Sequence, residues 1–409
     1  MSMRLLVVTQ YFWPEGFRIN ELVQSLVARG VAVDVLTGKP NYPEGRVFPG
    51  YRARGTQREV WEGARVFRVP LVPRGLRSGV RLFLNYLSFI VTATAMGSWL
   101  LRETRPDAIL VYATSPLLQA LPALFIGRLK GVPVVIYVQD LWPESLEATG
   151  YVRNRLSLGL VDQVVRFIYR RVNLILVSSL PFKESIARYA PSAPVVYFPN
   201  SVDASFGNPD SGLKPAIAAL DDGFCVVFAG NVGAAQAVHV IVEAAALLRG
   251  HKDIRLVVLG SGSEVGWMQT QITQLGLDNL YLAGRYPVQA MPYLLSRASA
   301  LLVTLADRKI FAATVPNKIQ AYMAVGRPII AAMNGEGARI VEQAAAGVAV
   351  KAEDGRALAD AILALHAMPQ EQRERLGANG RQYYQNHYDH EQLVSDLIER
   401  LGETVKEHK

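Results

Sequence analysis

The chain is 409 residues long, half of it apolar and 19% charged, with a formal net charge of +8. That length exceeds one ordinary hydrophobic core and predicts two domains of roughly 200 residues each, while the composition excludes a disordered chain. Cys225 is the single cysteine, which excludes intrachain disulfides and cysteine metal cages and fits a reducing cytosol.

The start, MSMRLLVVTQYF, holds one arginine and a short apolar run ahead of Trp13-Pro14, without a small-residue cleavage site, and reads as a first strand rather than a secretion signal. Apolar β-branched runs at 5–9, 31–37, 108–112, 132–138 and 174–178 alternate with helical patterns such as 19–29. That rhythm predicts βαβ units and a parallel sheet.

Nine arginines (Arg46, Arg52, Arg54, Arg58, Arg65, Arg68, Arg74, Arg77 and Arg81) stand against Glu59 and Glu62 in one stretch. Such a stretch should face an anionic partner. It carries no nucleic-acid module, and the apolar run after it favours lipid headgroups or a lipid-linked phosphate, so no nucleic acid is expected as a partner. Within region 46–102, Arg52, Arg54, Arg74, Arg77, Arg81 and Asn85 are the residues expected to face the acceptor or the membrane. From Leu82 to Leu101 no residue is charged, a length at which a transmembrane helix has to be considered. Strand segments on both sides that pair in one sheet argue against crossing. Asn85, Ser88, Thr92, Thr94 and Ser98 soften the run and Arg81 and Arg102 bracket it, so it reads as an interfacial, half-buried helix, with a core helix as the alternative.

A turn-rich connector from Pro199 to Gly212 precedes a second cycle of strands at 225–229, 255–259, 280–283, 300–304, 328–332 and 347–350. These divisions give an N-terminal Rossmann-like domain over 1–205, a C-terminal one over 206–380, and a return helix over 381–409 whose Leu393, Leu397 and Leu401 dock one face on the body. The fold class is α/β, two Rossmann-like domains facing across a cleft.

In such sheets ligands bind beyond the carboxyl ends of the strands, where loops lead into helix starts. Gly16, in the loop Trp13-Pro14-Glu15-Gly16, can let backbone amides approach a diphosphate, or serve as a turn glycine. In the second domain Asn231 and Gln236 lie in GNVGAAQ. Gly260 and Gly262 lie in GSGS, where Val265 takes the third glycine place of a dinucleotide fingerprint, so NAD is not expected. Lys318 beside Asn317 opens a helix after Pro316 and is the strongest phosphate ligand in the sequence; a solvated helix-start lysine is its plain alternative. Glu336, between Gly335 and Gly337, can accept hydrogen bonds from sugar hydroxyls or act as a helix-start carboxylate.

Asp140 and Glu144 lie four apart in a loop-to-helix stretch after a strand. There a carboxylate can face an anomeric carbon or take a proton, while Asp140 as a helix cap is the structural alternative. His387 and His390 have metal-compatible spacing without a third ligand and read as surface histidines. Asp221-Asp222 is a loop pair, no DxD spacing occurs, and no metal or other cofactor is expected.

Taken in order, PNYPEGRVFPGY (40–51), NYLSF (85–89), DLWPES (140–145), FAGNVGAAQ (228–236) and GEGARIVE (335–342) resemble the bacterial family 4 glycosyltransferases, retaining enzymes of the GT-B fold. The narrower resemblance is to the N-acetyl-L-fucosamine or colanic-acid-type transferases of surface polysaccharide synthesis. It implies transfer of a sugar, an N-acetylated 6-deoxy-aminosugar, from a UDP-sugar to a polyprenyl-diphosphate-linked glycan. The place of work it implies is the inner face of the bacterial inner membrane, on a cytoplasmic, peripheral protein making O-antigen, capsule or exopolysaccharide.

The sequence departs from the broader family at defined places. The two glutamates eight apart are Ala313 and Ala321, the diphosphate arginine and lysine are Asn231 and Gln236, and the first-domain histidine is Gln139. Lys318 and Arg285 are left to supply charge, and Asp140 or Glu144 to supply an ionisable helper. The rival readings are a nucleotide-sugar 2-epimerase of the same fold and a non-catalytic nucleotide-sugar-binding protein.

Overall fold

The computed structural model describes residues 3–75, 79–149 and 155–409. Arg77, among the residues expected to face the acceptor, lies outside them. The chain divides into two compact units, one of residues 1–198 with 391–409 and one of residues 199–390.

The first unit is built on an eight-stranded sheet. Its strands are β1 (Arg4–Val8), β2 (Ala32–Gly38), β3 (Gln57–Trp61), β4 (Ala64–Val69), β5 (Ala108–Ala113), β6 (Val134–Val138), β7 (Leu174–Val177) and β8 (Val195–Tyr197). Their order is β3-β4-β2-β1-β5-β6-β7-β8, and β3 alone runs antiparallel to its neighbour. The inner strands are continuous apolar runs such as LILV and VVIYV because helices cover both faces. The helix His390–His408 returns to this unit and places Val394, Leu397 and Leu401 in its core beside Leu5, Val7 and Leu110.

The hairpin β3–β4 occupies the arginine-rich stretch and turns through Glu62 and Gly63, both in the left-handed region at φ 47° and 81°. It corrects the outward reading at Arg68, while most of the stretch stays exposed. Arg68 is fully buried, donating to Glu59 at 2.6 Å, to the Gly38 carbonyl at 3.1 Å and to the Trp13 carbonyl. Arg65 forms a two-bonded pair with the buried Asp34 at 2.6 and 2.7 Å. Arg46, Arg52, Arg54, Arg58 and Arg81 are exposed, and Arg74 is half-buried with its guanidinium 4.9 Å from the Tyr42 ring centre.

The uncharged run forms one continuous helical segment, Gly79–Thr92, a π-helical stretch Ala93–Gly97, and Ser98–Leu100. Asn85, Phe89, Ala93, Gly97 and Leu100 form its buried stripe. A Cβ on Gly97 would meet Leu36 of β2 at 2.8 Å, so the absent side chain is what lets the helix lie on the sheet. The wide π turn keeps the spacing of four between buried positions, where a regular helix would rotate the stripe away. The other face exposes Val80, Phe83, Leu84, Leu87, Val91, Met96 and Trp99. The segment is long and apolar enough to cross a membrane by length and composition, yet its buried stripe packs along the domain.

Asn85 departs from the sequence reading. Its side chain is fully buried, accepting from Gln10 Nε2 at 2.6 Å and donating to the Val72 carbonyl at 2.7 Å and to Asn41 Oδ1 at 3.3 Å. It joins loops within the unit and faces neither solvent nor lipid.

The second unit holds β9 (Phe224–Asn231), β10 (Ile254–Ser261), β11 (Leu280–Gly284), β12 (Ala300–Thr304), β13 (Ile329–Ala332) and β14 (Gly347–Val350). All pair in parallel in the order β11-β10-β9-β12-β13-β14, the doubly wound arrangement. Along β9, Cys225, Val227 and Ala229 enter the core on one face and Phe224, Val226 and Phe228 the core on the other.

The placement of Asn85 makes a direct prediction. Asn85→Leu, harmless at a lipid-facing position, strands buried partners on Gln10, Asn41 and Val72 and should lower stability by about 1–3 kcal/mol in a denaturant titration. An unchanged midpoint would return Asn85 to the surface.

Candidate functional site

In the second unit the strand order reverses between β9 and β12, so the loops after these strands leave in opposite directions and uncover the sheet's carboxyl edge. The sequence places GNVGAAQ after β9 and VPNK after β12, and the fold brings them together. Lys318 Nζ donates to Gln236 Oε1 at 2.6 Å and lies 3.7 Å from the centre of the Phe228 ring. A Cβ on Gly230 would come within 3.3 Å of Lys318 Cε and Nζ. Thr304 donates its hydroxyl to the Gln236 carbonyl, and the Ala306 amide donates to the Ala235 carbonyl at 3.0 Å, tying the two loops.

Among the described residues no carboxylate lies within ion-pair distance of Lys318. Burial pulls its ammonium from the ordinary lysine range down to about 7. Lys318 stands in the first turn of the helix Asn317–Val325, whose start has no side-chain cap, as does the helix Glu336–Gln343. An uncompensated cation beside uncapped helix amides is the chemistry of an anion site.

The remaining positions expected to bind a donor fall into three groups. Gly260 and Gly262 are required by packing, since a Cβ on either would lie 1.8 Å from the Gly230 carbonyl or 2.1 Å from the Val232 carbonyl. Gly337 is packed against side chains instead, a Cβ there meeting the end of Met333 at 2.5 Å and Ile319 Cδ1 at 2.9 Å. Glu336 is buried and its carboxylate is taken by Arg339 of its own helix at 2.6 and 2.8 Å, the helix-start role. Asn317 is exposed and accepts from Asn200 at 2.9 Å. Asn231 is exposed at the end of β9, and Arg285 is exposed after β11, two strands away. Phe228 and Thr304 were not singled out in the sequence; Thr304 ends β12, a positional signal, whereas Phe228 lies inside β9 and has none.

In the first unit the reversal lies between β1 and β5. There the Gln10 amide donates to Gln119 Oε1 at 2.7 Å, and Gln119 Nε2 to the Thr114 carbonyl at 2.8 Å. Buried polar atoms without a hydrogen-bond partner among the described residues gather at the same loops: Gln10 Oε1, Tyr11 Oη, Arg18 Nη1 and Thr114 Oγ1. Such atoms in a folded protein mark a place that water or a hydroxyl-rich ligand completes.

Gly16 is exposed and a Cβ there would touch nothing, so packing does not demand glycine. Its neighbour Glu15, which the sequence did not single out, is buried and accepts from the Asn41 and Tyr42 amides at 2.7 Å each and from the Phe12 amide at 3.1 Å. Burial nonetheless raises its carboxyl to about 7.

Asp140 accepts from the Ser115 amide at 3.2 Å and its hydroxyl at 3.1 Å, and Trp142 Nε1 donates to the same hydroxyl at 3.0 Å. It caps no helix, since the next one begins at Glu144. Burial raises its carboxyl while the Ser115 bonds lower it. Glu144 turns elsewhere, toward Tyr169 and Tyr189, and its Oε2 is buried without a hydrogen bond. The two carboxylates therefore have separate surroundings. His390 is not a surface histidine: it is buried and its Nδ1 lies 2.7 Å from Ser201 Oγ. Among the described residues no three His, Cys, Asp or Glu side chains gather as metal ligands.

Comparison with known proteins agrees with this architecture. Residues 16–201 match the Glycosyl transferase 4-like domain and residues 213–383 match the Glycosyl transferases group 1. WcaI of Escherichia coli (strain K12), which carries the name of a colanic acid biosynthesis glycosyl transferase, is 27% identical over 344 residues, 79% of this chain and 82% of its own. Among solved structures, the sucrose-phosphate synthase of Thermosynechococcus elongatus superposes with a TM-score of 0.76 at 16% identity, covering 98% of both chains. Anabaena HepE in complex with UDP and glucose superposes with a TM-score of 0.69 at 14% identity, covering 98% of this chain and 100% of its own. The chain is thus a glycosyltransferase of the GT-B fold, composed of a Glycosyl transferase 4-like domain followed by a Glycosyl transferases group 1 domain.

Proposed function

We propose that this glycosyltransferase moves a sugar from a UDP-sugar to a polyprenyl-diphosphate-linked glycan, with retention at the anomeric carbon, during assembly of a bacterial surface polysaccharide. Lys318 carries the reading. A desolvated ammonium with no countercharge, held by Gln236 and Phe228 at the β9–β12 reversal, gains most from an anion that restores its charge. A nucleoside diphosphate suits that place, because the leaving diphosphate develops charge as the glycosidic bond breaks and fixed amides and an ammonium stabilise it without reorganising. The UDP complexes of HepE, a protein of the same fold, support the choice of base, and the likeness to WcaI supports surface polysaccharide as the product class.

In this reading Lys318 and helix-start amides meet the diphosphate, and no divalent ion is required. Ala313 and Ala321, standing where the broader family has glutamates, leave few acceptors for sugar hydroxyls, which fits a 6-deoxy-aminosugar. The unsatisfied polar atoms around Gln10, Tyr11, Arg18 and Thr114 are the acceptor's place, and Asp140, held by the Ser115 amide and hydroxyl beside Trp142, is the group assigned to proton transfer.

The lipid-linked acceptor calls for a membrane surface. The helix Gly79–Thr92 and its continuation expose Phe83, Leu87, Val91 and Trp99, and the neighbouring helices Ala120–Lys130 and Arg155–Tyr169 add Phe125, Leu129 and Leu160. Contiguous apolar surface beside exposed arginines fits a protein lying on an anionic leaflet at the inner face of the membrane.

Three outcomes follow. Lys318→Ala should weaken UDP binding at least tenfold in calorimetry, whereas Lys252→Ala, paired on the surface with Asp278, should leave it unchanged. Equal losses remove Lys318 from the site, and tight binding without release of UDP from any sugar donor favours a non-catalytic nucleotide-sugar binder. Because the Lys318 pKa is depressed in the free protein and rises when a diphosphate binds, binding takes up a proton above about pH 7. UDP affinity should therefore fall from pH 7 to 9, by up to about tenfold per unit, and Lys318→Met should flatten the profile. In flotation assays the protein should rise with phosphatidylglycerol vesicles, and the double variant Phe83→Asp/Leu87→Asp should stay behind; a wild-type protein that stays in solution defeats the membrane reading.

A further inference from the structure

The second unit carries another cationic concavity, at the opposite edge of its sheet from Lys318. Residues 296–299 lead into β12 and residues 325–328 lead into β13, and with the helix Gln370–His387 they line a cavity of about 580 Å³. Four arginines line it, Arg297, Arg327, Arg373 and Arg381, against the single carboxylate of Glu374. A cavity of this size accommodates a small metabolite.

Three of the four guanidinium groups are fixed by the fold. Arg381 donates to the Val325 carbonyl at 2.7 Å, Arg373 to the carbonyls of Leu365, His366 and Met368 at 3.1, 3.1 and 2.5 Å, and Arg297 to Asp221 at 3.1 Å. Arg327 is different. It is half-buried, and among the described residues its guanidinium makes no hydrogen bond and no ion pair. Burial lowers its pKa; Glu374 offsets part of that without forming an ion pair, and Arg381 lowers it again. A half-desolvated cation beside other cations is a cost to the fold that a bound anion relieves.

We propose that this cavity binds a small phosphate ester, its phosphate taken by Arg327 with Arg381 beside it. A planar guanidinium matches phosphate oxygens in pairs, and a dianion neutralises more of the arginine excess than a carboxylate does. The site is separate from the donor loops yet mechanically joined to them. The helix Asn317–Val325 carries Lys318 in its first turn and ends one residue before Gly326, so the two anion sites stand at opposite ends of one element about 14 Å long. Gly326 lies in the left-handed region at φ 76° and a Cβ there would meet Arg381 Nε at 2.9 Å, which holds the helix end against the cavity.

The test is calorimetry on the full chain with ribose 5-phosphate, inorganic phosphate and ribose. Ribose 5-phosphate should bind with a stoichiometry of one, more tightly than inorganic phosphate, and ribose should not bind. Arg327→Gln, which removes no hydrogen bond of the fold, should keep the wild-type melting temperature and weaken ribose 5-phosphate about tenfold or more. Lys318→Ala should leave this binding intact, so the outcome is independent of the donor-site reading. The proposal is overturned if ribose 5-phosphate does not bind, if inorganic phosphate binds equally well, if Arg327→Gln binds as the wild type does, or if Lys318→Ala abolishes the signal.

Discussion

A parallel sheet whose strand order reverses beside its first strand cannot cover both loops at the point of reversal, and that constraint organises both units of this protein. In one the reversal separates β1 from β5, in the other β9 from β12. The connections on either side leave toward opposite faces of the sheet, so the carboxyl ends of the two strands stay open while the rest of the sheet is buried. Polar side chains collect there because their partners, loop amides and carbonyls, are there too. Gln10 and Gln119 in the first unit and Thr304, Gln236 and Lys318 in the second occupy equivalent places in two cores of unrelated sequence.

Charge is treated in two ways. Arg65 and Arg68 are neutralised by Asp34 and Glu59, and Glu15 is met by three backbone amides; each of these groups stitches one loop or strand to another. Removing a partner in such a pair leaves a desolvated ion and is costly, which makes these charges part of the fold. Lys318 and Arg327 are partly buried cations that, among the described residues, form no ion pair. A folded chain keeps uncompensated charge where something else completes it, and that contrast is why the two positions carry the functional argument while the paired arginines and the amide-bound glutamate do not.

Much of this was legible in the sequence. The strands of both sheets, apart from β3, β4 and β8, stand out as β-branched runs because parallel strands covered on both faces cannot tolerate polar residues. The hairpin β3–β4 was hidden because its arginines look like a surface patch. Only the register, which sets Arg68 opposite Gln57 and beside Glu59, shows that part of this charge points inward. Asn85 was misplaced for the converse reason: a polar residue in an apolar run looks like a concession to water, yet here it satisfies buried amides from three loops. Lys318 could be singled out because helix-start lysines after proline have a local signature, whereas Phe228 beneath it could not. Nothing distinguishes that phenylalanine from other strand residues until β9 and β12 are neighbours. The glycines at 260 and 262 look like phosphate-loop glycines and turn out to be demanded by backbone crowding.

The last helix has a bearing on how the protein is made. Val394, Leu397 and Leu401 complete a core whose other members, from Leu5 to Phe198, all leave the ribosome long before them. The unit between them is continuous in sequence and can mature while the tail is still being translated. The first unit must wait, its hydrophobic face unsealed, until residues 391–409 emerge, so of the two units the one translated first is the one that finishes last.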